Sequence, residues 1–123
     1  MPLIDWDTLP KSTGMSRGFD RSVVSGEKMS AIKMTVDVDA DFGDPLHWHD
    51  NEQLMVVVGG SATVQINDDR FDVTVGDTVF YPSGSRHGLL AVGAGGCTFF
   101  EVFAPARLDQ LPGWMGRSAL HVD

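Results

Sequence analysis

The sequence predicts an all-β domain, a barrel or a sandwich. Three observations lead there. The 14 glycines and 6 prolines break the chain into short β-like runs at close intervals, the punctuation of a small all-β fold. Strand and helix patterns do not alternate, which excludes a doubly wound α/β sheet. At 123 residues the chain is one domain, long enough to bury a core without staples.

The elements follow in order. Residues 1–27 read as an irregular N-terminal segment with one edge strand around Arg21–Val24. Met29–Val38 reads as a strand, with Met29, Met34 and Met55 as core filler. Gln53–Val58 is a valine-rich apolar run too short for a helix, hence a buried strand. Ser61–Ile66 and Arg70–Val75 flank Asn67-Asp68-Asp69 and form a hairpin. In its second arm Phe71, Val73 and Val75 alternate with Asp72 and Thr74, so one face is expected to be buried. Thr78–Tyr81, Gly88–Val92 and Thr98–Ala104 complete the strands, and a short helix fits after Pro105, ending before Pro112-Gly113. The body of the domain is thus residues 28–105, with 106–123 as a C-terminal segment.

Lys and Arg number 9 against 17 Asp and Glu, a formal net charge of −8. The basic residues are scattered, which argues against a nucleic-acid partner. Cys97 is the only cysteine, so no intrachain disulfide can form; a small packed residue is its expected role. The start lacks the basic region and apolar run of a signal peptide, and no stretch approaches the length of a membrane helix. A cytoplasmic protein with no membrane partner is expected.

Three of the four histidines fall in two windows. The first reads Gly43-Asp-Pro-Leu-His47-Trp-His49-Asp-Asn-Glu52-Gln53, with Gly60 beyond it; the second runs from Gly76 through Pro82 and Gly84 to His87. Period two decides which side chains point together. His47 and His49 share a face of an extended segment, and Gln53 has the same parity. Glu52 and Trp48 have the opposite parity, so Gln53 is the expected third ligand and Trp48 packs behind the site. A bulge at Asp50-Asn51 would reverse the choice between Gln53 and Glu52. His87 follows a Pro82-Ser-Gly84 turn and can approach from a neighbouring strand. Three imidazoles and an amide leave a divalent ion's charge undiminished, a strong Lewis acid with room for substrate oxygens.

Together the windows resemble the two motifs of the cupin superfamily. Gly43, His47, His49, Gln53 and Gly60 fit the first, with Gln at the usual Glu position; Gly76, Pro82, Gly84 and His87 fit the second, with Ala91 at the usual Asn. The resemblance spans roughly residues 30–105. It implies a single-domain jelly-roll barrel, the double-stranded β-helix, with one divalent transition metal (Zn, Ni, Fe or Mn) held at one end by His47, His49, Gln53 and His87.

The last strand adds Phe99, Glu101 and Phe103 on one face, followed by Arg107. An acid among phenylalanines is costly to bury without a partner or a task. This segment is similar to that of the small cupins that ketonise unsaturated uronates, the KdgF family, whose Asp, Phe and Arg correspond to Glu101, Phe103 and Arg107. The resemblance implies a tautomerase or isomerase of a small enol-bearing carboxylate. Glu101 would move the proton, Arg107 would hold a carboxylate and Phe103 would wall the ring. Oxygen-dependent cleavage of a dione or flavonol, polyketide cyclisation and a non-catalytic small-molecule binding module use the same shell and stay open. Tyr81 reads as structural, Arg86 as exposed and His121 as solvated. Leu3, Ile4 and Trp6 could extend a neighbour's sheet, so a homodimer is expected.

Overall fold

The computed structural model describes residues 3–122. Its strands are β1 (Phe19–Ser25), β2 (Ser30–Val36), β3 (Glu52–Ile66), β4 (Asp69–Thr74), β5 (Thr78–Tyr81) and β6 (His87–Ala104). All pair antiparallel in the order β1-β2-β6-β3-β4, with β5 also on β3. Among the described residues no helix is long and apolar enough to cross a membrane.

Two pairs of expected strands are single long strands. Gln53–Val58 and Ser61–Ile66 belong to β3, and Gly88–Val92 and Thr98–Ala104 belong to β6. The two long strands pair along most of their length, with register shifts between Val57 and Gly59, Gly60 and Ala62, and Thr63 and Val64. These irregularities bend the ribbon so that its two halves wrap one core. Gly60 has φ 69°, and a Cβ there would lie 2.0 Å from the Gly96 carbonyl oxygen. Only glycine permits that approach, so the chain stays continuous where the sequence reads as a break.

Period two sorts the side chains. Arg21, Met34, Phe99 and Val57 stand opposite one another across β1, β2, β6 and β3; Val23, Ile32, Glu101 and Met55 form the next row. Gln53, Phe103 and Tyr81 form a third. Val23, Ile32, Met34, Met55, Val57, Phe99 and Phe103 are buried, and with Val36, Val64 and Cys97 they make the core.

Three expectations are corrected. Met29 is 48% exposed, because β2 begins one residue later and Met29 lies in the turn. Phe71 and Val75 are exposed and only Val73 is buried, because β4 pairs only with β3 at the sheet's edge and the core reaches no further. The helix after Pro105 is a single 3-10 turn, Leu108–Gln110.

Candidate metal centre

His47 and His49 sit on an extended stretch between β2 and β3, and His87 opens β6. Backbone pairing joins them: the His47 N–H donates to the His87 carbonyl at 2.9 Å and the His87 N–H to the His47 carbonyl at 2.7 Å. Gly88 lets the stretch pass this close, since a Cβ there would lie 2.2 Å from the Pro45 carbonyl oxygen. The Gly84 N–H donates to the His49 carbonyl at 2.9 Å, and Ser83 Oγ donates to the Asp50 carbonyl at 2.6 Å. The Pro82-Ser-Gly84 turn therefore pins the loop that carries the histidines.

Each imidazole is oriented by a backbone carbonyl. His47 Nδ1 lies 3.0 Å from the Pro45 oxygen, His49 Nδ1 3.0 Å from the Asn51 oxygen and His87 Nδ1 2.9 Å from the Ser85 oxygen. A carbonyl only accepts, so every Nδ1 carries the hydrogen and every neutral Nε2 presents a bare lone pair. The three rings offer ligand atoms within 4.8 Å of one another. Gln53 Oε1 is 3.0 Å from His49 Nε2 and 3.1 Å from His87 Nε2, while its amide nitrogen donates to Glu101 Oε2.

Acceptors thus face acceptors, an arrangement that repels unless a proton or a cation lies between them. Burial disfavours the proton. It pulls His47 down to about 4, with the His49 charge adding, and His87 down to about 3, with the His47 charge adding. His49 is lowered too, by burial and then by Arg107. Three neutral imidazoles and an amide oxygen converging on one point fit a divalent cation, and the backbone carbonyls behind them fix ligand tautomer and direction. Glu52 points outward and is exposed.

Glu101 lies one row from Gln53 on the same inner face. Burial pushes its carboxyl up to about 7, although the Gln53 amide and the Arg107 and Arg21 charges pull the other way. Phe103 is 1% exposed and meets the His49 ring edge-on at 5.9 Å between centroids. Tyr81 packs on His87 at 4.5 Å and donates to Met55 Sδ; burial raises its phenol.

Arg107 is 6% exposed rather than a surface residue, and its guanidinium lies 5.1 Å over the Phe103 ring. Its fork is already engaged: Nε donates to Asp109 Oδ1 at 3.2 Å and one terminal nitrogen to Oδ2 at 2.8 Å. Burial pushes the Asp109 carboxyl up, but the Arg107 hydrogen bonds and charge outweigh it, and the carboxyl stays below its ordinary value.

His47 and His87 open into a cavity of about 340 Å³, also lined by Glu101, Phe99, Arg107, Arg21 and Gln110, within the usual size range of ligand pockets. Sequence reasoning missed Arg21 and Gln110. Arg21 shares parity with the buried Val23, so its inward direction could have been read; nothing local marks Gln110. Trp48 turns away from the histidines, and its ring stacks on His121 at 4.1 Å. His121 is exposed but not free: its backbone pairs with that of Trp48, at 2.8 Å in both directions. Arg86 is exposed.

Comparison with known proteins adds relatives to this geometry. Residues 34–103 match the family described as Cupin domain. A Bacillus subtilis (strain 168) protein named as an uncharacterized HTH-type transcriptional regulator, YdeC, is 32% identical over 71 residues, 58% of this chain. The chain spans only 24% of that relative's length. KdgF from Halomonas sp. superposes with a TM-score of 0.71 at 22% identity, over 83% of this chain and 91% of that one. An RmlC-like cupin from Shewanella frigidimarina NCIMB 400 gives 0.70 at 24% identity, over 85% and 91%. Oxalate decarboxylase from Bacillus subtilis gives 0.70 at 24%, over 83% of this chain but 28% of that one. At these identities the structures share the fold.

Proposed function

From the premise that this chain belongs to the cupin family, we propose a metal-dependent enzyme that tautomerises a small enol-bearing carboxylate of the unsaturated-uronate class. The observation that carries the reading is the set of lone pairs at His47, His49, His87 and Gln53, converging beside the Glu101 carboxyl. When bound, a divalent cation would supply Lewis acidity toward the substrate's oxygens.

The remaining work falls to the chain. His47, His49, His87 and Gln53 would hold the ion, their directions set in advance. Gln53 ties the ion's shell to Glu101 through its amide nitrogen. Ketonisation moves one proton off the enol oxygen and one onto the adjacent carbon. Glu101, set in the cavity wall, would deliver the proton to carbon and take up the one that the enol oxygen releases. Phe99 keeps that wall apolar and limits water, while Phe103 is buried behind it against His49 and, contrary to the expectation from the sequence, does not wall the cavity. Arg107, clamped by Asp109, would keep positive charge at the cavity lining without offering a free fork.

The test is the anaerobic loss of ultraviolet absorbance of a 4,5-unsaturated monouronate. Metal-loaded protein should accelerate it, chelator-stripped protein should not, and Glu101→Gln should slow it by on the order of 10²–10⁴. No acceleration by metal-loaded protein, or full activity in Glu101→Gln, refutes the reading. Oxygen uptake matched to substrate loss would assign dioxygenase chemistry instead. The stretch shared with a protein named as a transcriptional regulator favours a second reading, a module that binds a small molecule without converting it. Tight binding of the uronate with no turnover would favour it.

A further inference from the structure

The cavity lining carries two polar groups whose side-chain hydrogen bonds are incomplete. Arg21 reaches inward from β1, in the row of Met34 and Phe99. Its Nε donates to Ser12 Oγ at 3.0 Å. Among the described residues no carboxylate pairs with it and no acceptor takes its two terminal nitrogens. Arg107 differs in this respect, since Asp109 occupies its fork. The Asp109 and Glu101 charges act on Arg21 through space, but neither takes its terminal nitrogens, so its fork keeps its donors for a ligand.

Gln110 is the second group. It is 3% exposed, it lines the same cavity, and its side-chain carbonyl oxygen is buried with no hydrogen-bond partner. Ser12 joins the two: its Oγ accepts from Arg21 Nε and donates to the Gln110 backbone carbonyl at 2.9 Å. One wall therefore offers a planar cationic fork and an unfilled acceptor. Glu101 lies one row along the same inner face, and Gln53, with the histidine cluster, one row beyond it.

We propose that Arg21 and Gln110 form a subsite for a hydroxylated carboxylate, Arg21 gripping the carboxylate through its free fork and Gln110 accepting from a neighbouring hydroxyl. The ligand class is a polyhydroxy acid, and a neutral sugar or a carboxylate without hydroxyls fills only half of the subsite. This deepens the tautomerase reading, on which it rests for the orientation of the substrate, because the carboxylate anchored at Arg21 directs the rest of the molecule toward the histidines. It also moves carboxylate recognition from Arg107 to Arg21.

The test is calorimetric titration with D-galacturonate, D-galactose and cyclohexanecarboxylate, on zinc-loaded and chelator-stripped protein. Galacturonate should bind the wild type at least tenfold more tightly than galactose. Arg21→Met should weaken galacturonate about tenfold or more, the loss expected for a charge-assisted hydrogen bond, and Arg21→Lys should restore part of it. Gln110→Leu should weaken galacturonate and leave cyclohexanecarboxylate unchanged. Thermal melts establish that each variant is folded, and the lysine variant keeps the charge if the methionine variant is damaged. The subsite is overturned if wild type fails to bind galacturonate, if galactose binds equally, or if both Arg21 variants bind galacturonate like wild type. Arg21-dependent binding in stripped protein, together with no turnover of the unsaturated uronate when loaded, upholds the subsite and overturns the reaction. Turnover with Arg21-independent binding does the reverse.

Discussion

Replacing Asp109 by Asn tests the clamp that shapes the cavity floor. The Arg107 and Asp109 side chains are 6% and 7% exposed. Asp109 Oδ1 accepts from Arg107 Nε; Oδ2 accepts from another Arg107 nitrogen, the Ala119 N–H and Ser118 Oγ. Asparagine keeps the shape but removes the charge, and its amide group meets donors with donors whichever way it turns. Breaking a buried pair by removing one partner costs about 3–5 kcal/mol. For a chain of this length that corresponds to a fall in Tm of roughly 12–20 °C. The effect should depend on pH in one direction. Asp109's folded value is depressed, so its contribution is complete above the unfolded value of about 4 and is lost as pH falls through the folded value. Differential scanning calorimetry at pH 7, 5, 4 and 3 reads both. The gap between the two proteins should be constant from pH 7 to 5 and begin to shrink below about pH 4, as the unfolded carboxyl takes up its proton; contributions common to both, such as the histidines, cancel. An unchanged Tm at pH 7, or a gap that persists undiminished at pH 3, refutes the charge argument.

Other outcomes follow from the same geometry. Zinc or nickel at about a thousandfold over its Kd should stabilise the protein by about 4 kcal/mol, and His87→Ala should abolish this; an equal shift in that variant would sink the site. Because His47 and His87 are held near 4 and 3, metal affinity measured by chelator competition should be flat from pH 6 to 8, whereas metal-free protein should lose stability as pH falls below about 6.5, where unfolded imidazoles take up protons. Gly88→Ala places a methyl group 2.2 Å from the Pro45 carbonyl that orients His47. It should cost about 1–3 kcal/mol and weaken metal binding at least tenfold; wild-type affinity would show that the contact does not position His47. Leu54 and Phe80 stand opposite each other on the outer face of β3 and β5, 37% and 51% exposed, an apolar patch through which we propose that the expected homodimer pairs. Light scattering should give a two-chain mass that Leu54→Glu with Phe80→Glu halves; a one-chain mass for wild type refutes the homodimer.

The sequence by itself determined what depends on local periodicity and spacing. Alternation placed Gln53 on the face of His47 and His49 and sent Glu52 outward, and the Asn67-Asp68 turn fixed the β3–β4 hairpin. Glu101 among phenylalanines read as inward because period two needs only its neighbours. Tertiary structure decided everything set by pairing between distant strands. The fusion of four expected strands into β3 and β6 depends on Gly60 meeting Gly96, a contact between residues 36 positions apart. The exposure of Phe71 and Val75 depends on where the core ends rather than on their alternation. Arg107 reads as a free fork until Asp109 folds back on it, and Arg21 reads as an edge residue until β1 pairs with β2 and turns it into the cavity. Parity says which side of a strand a residue occupies; only the assembled sheet says what lies on that side.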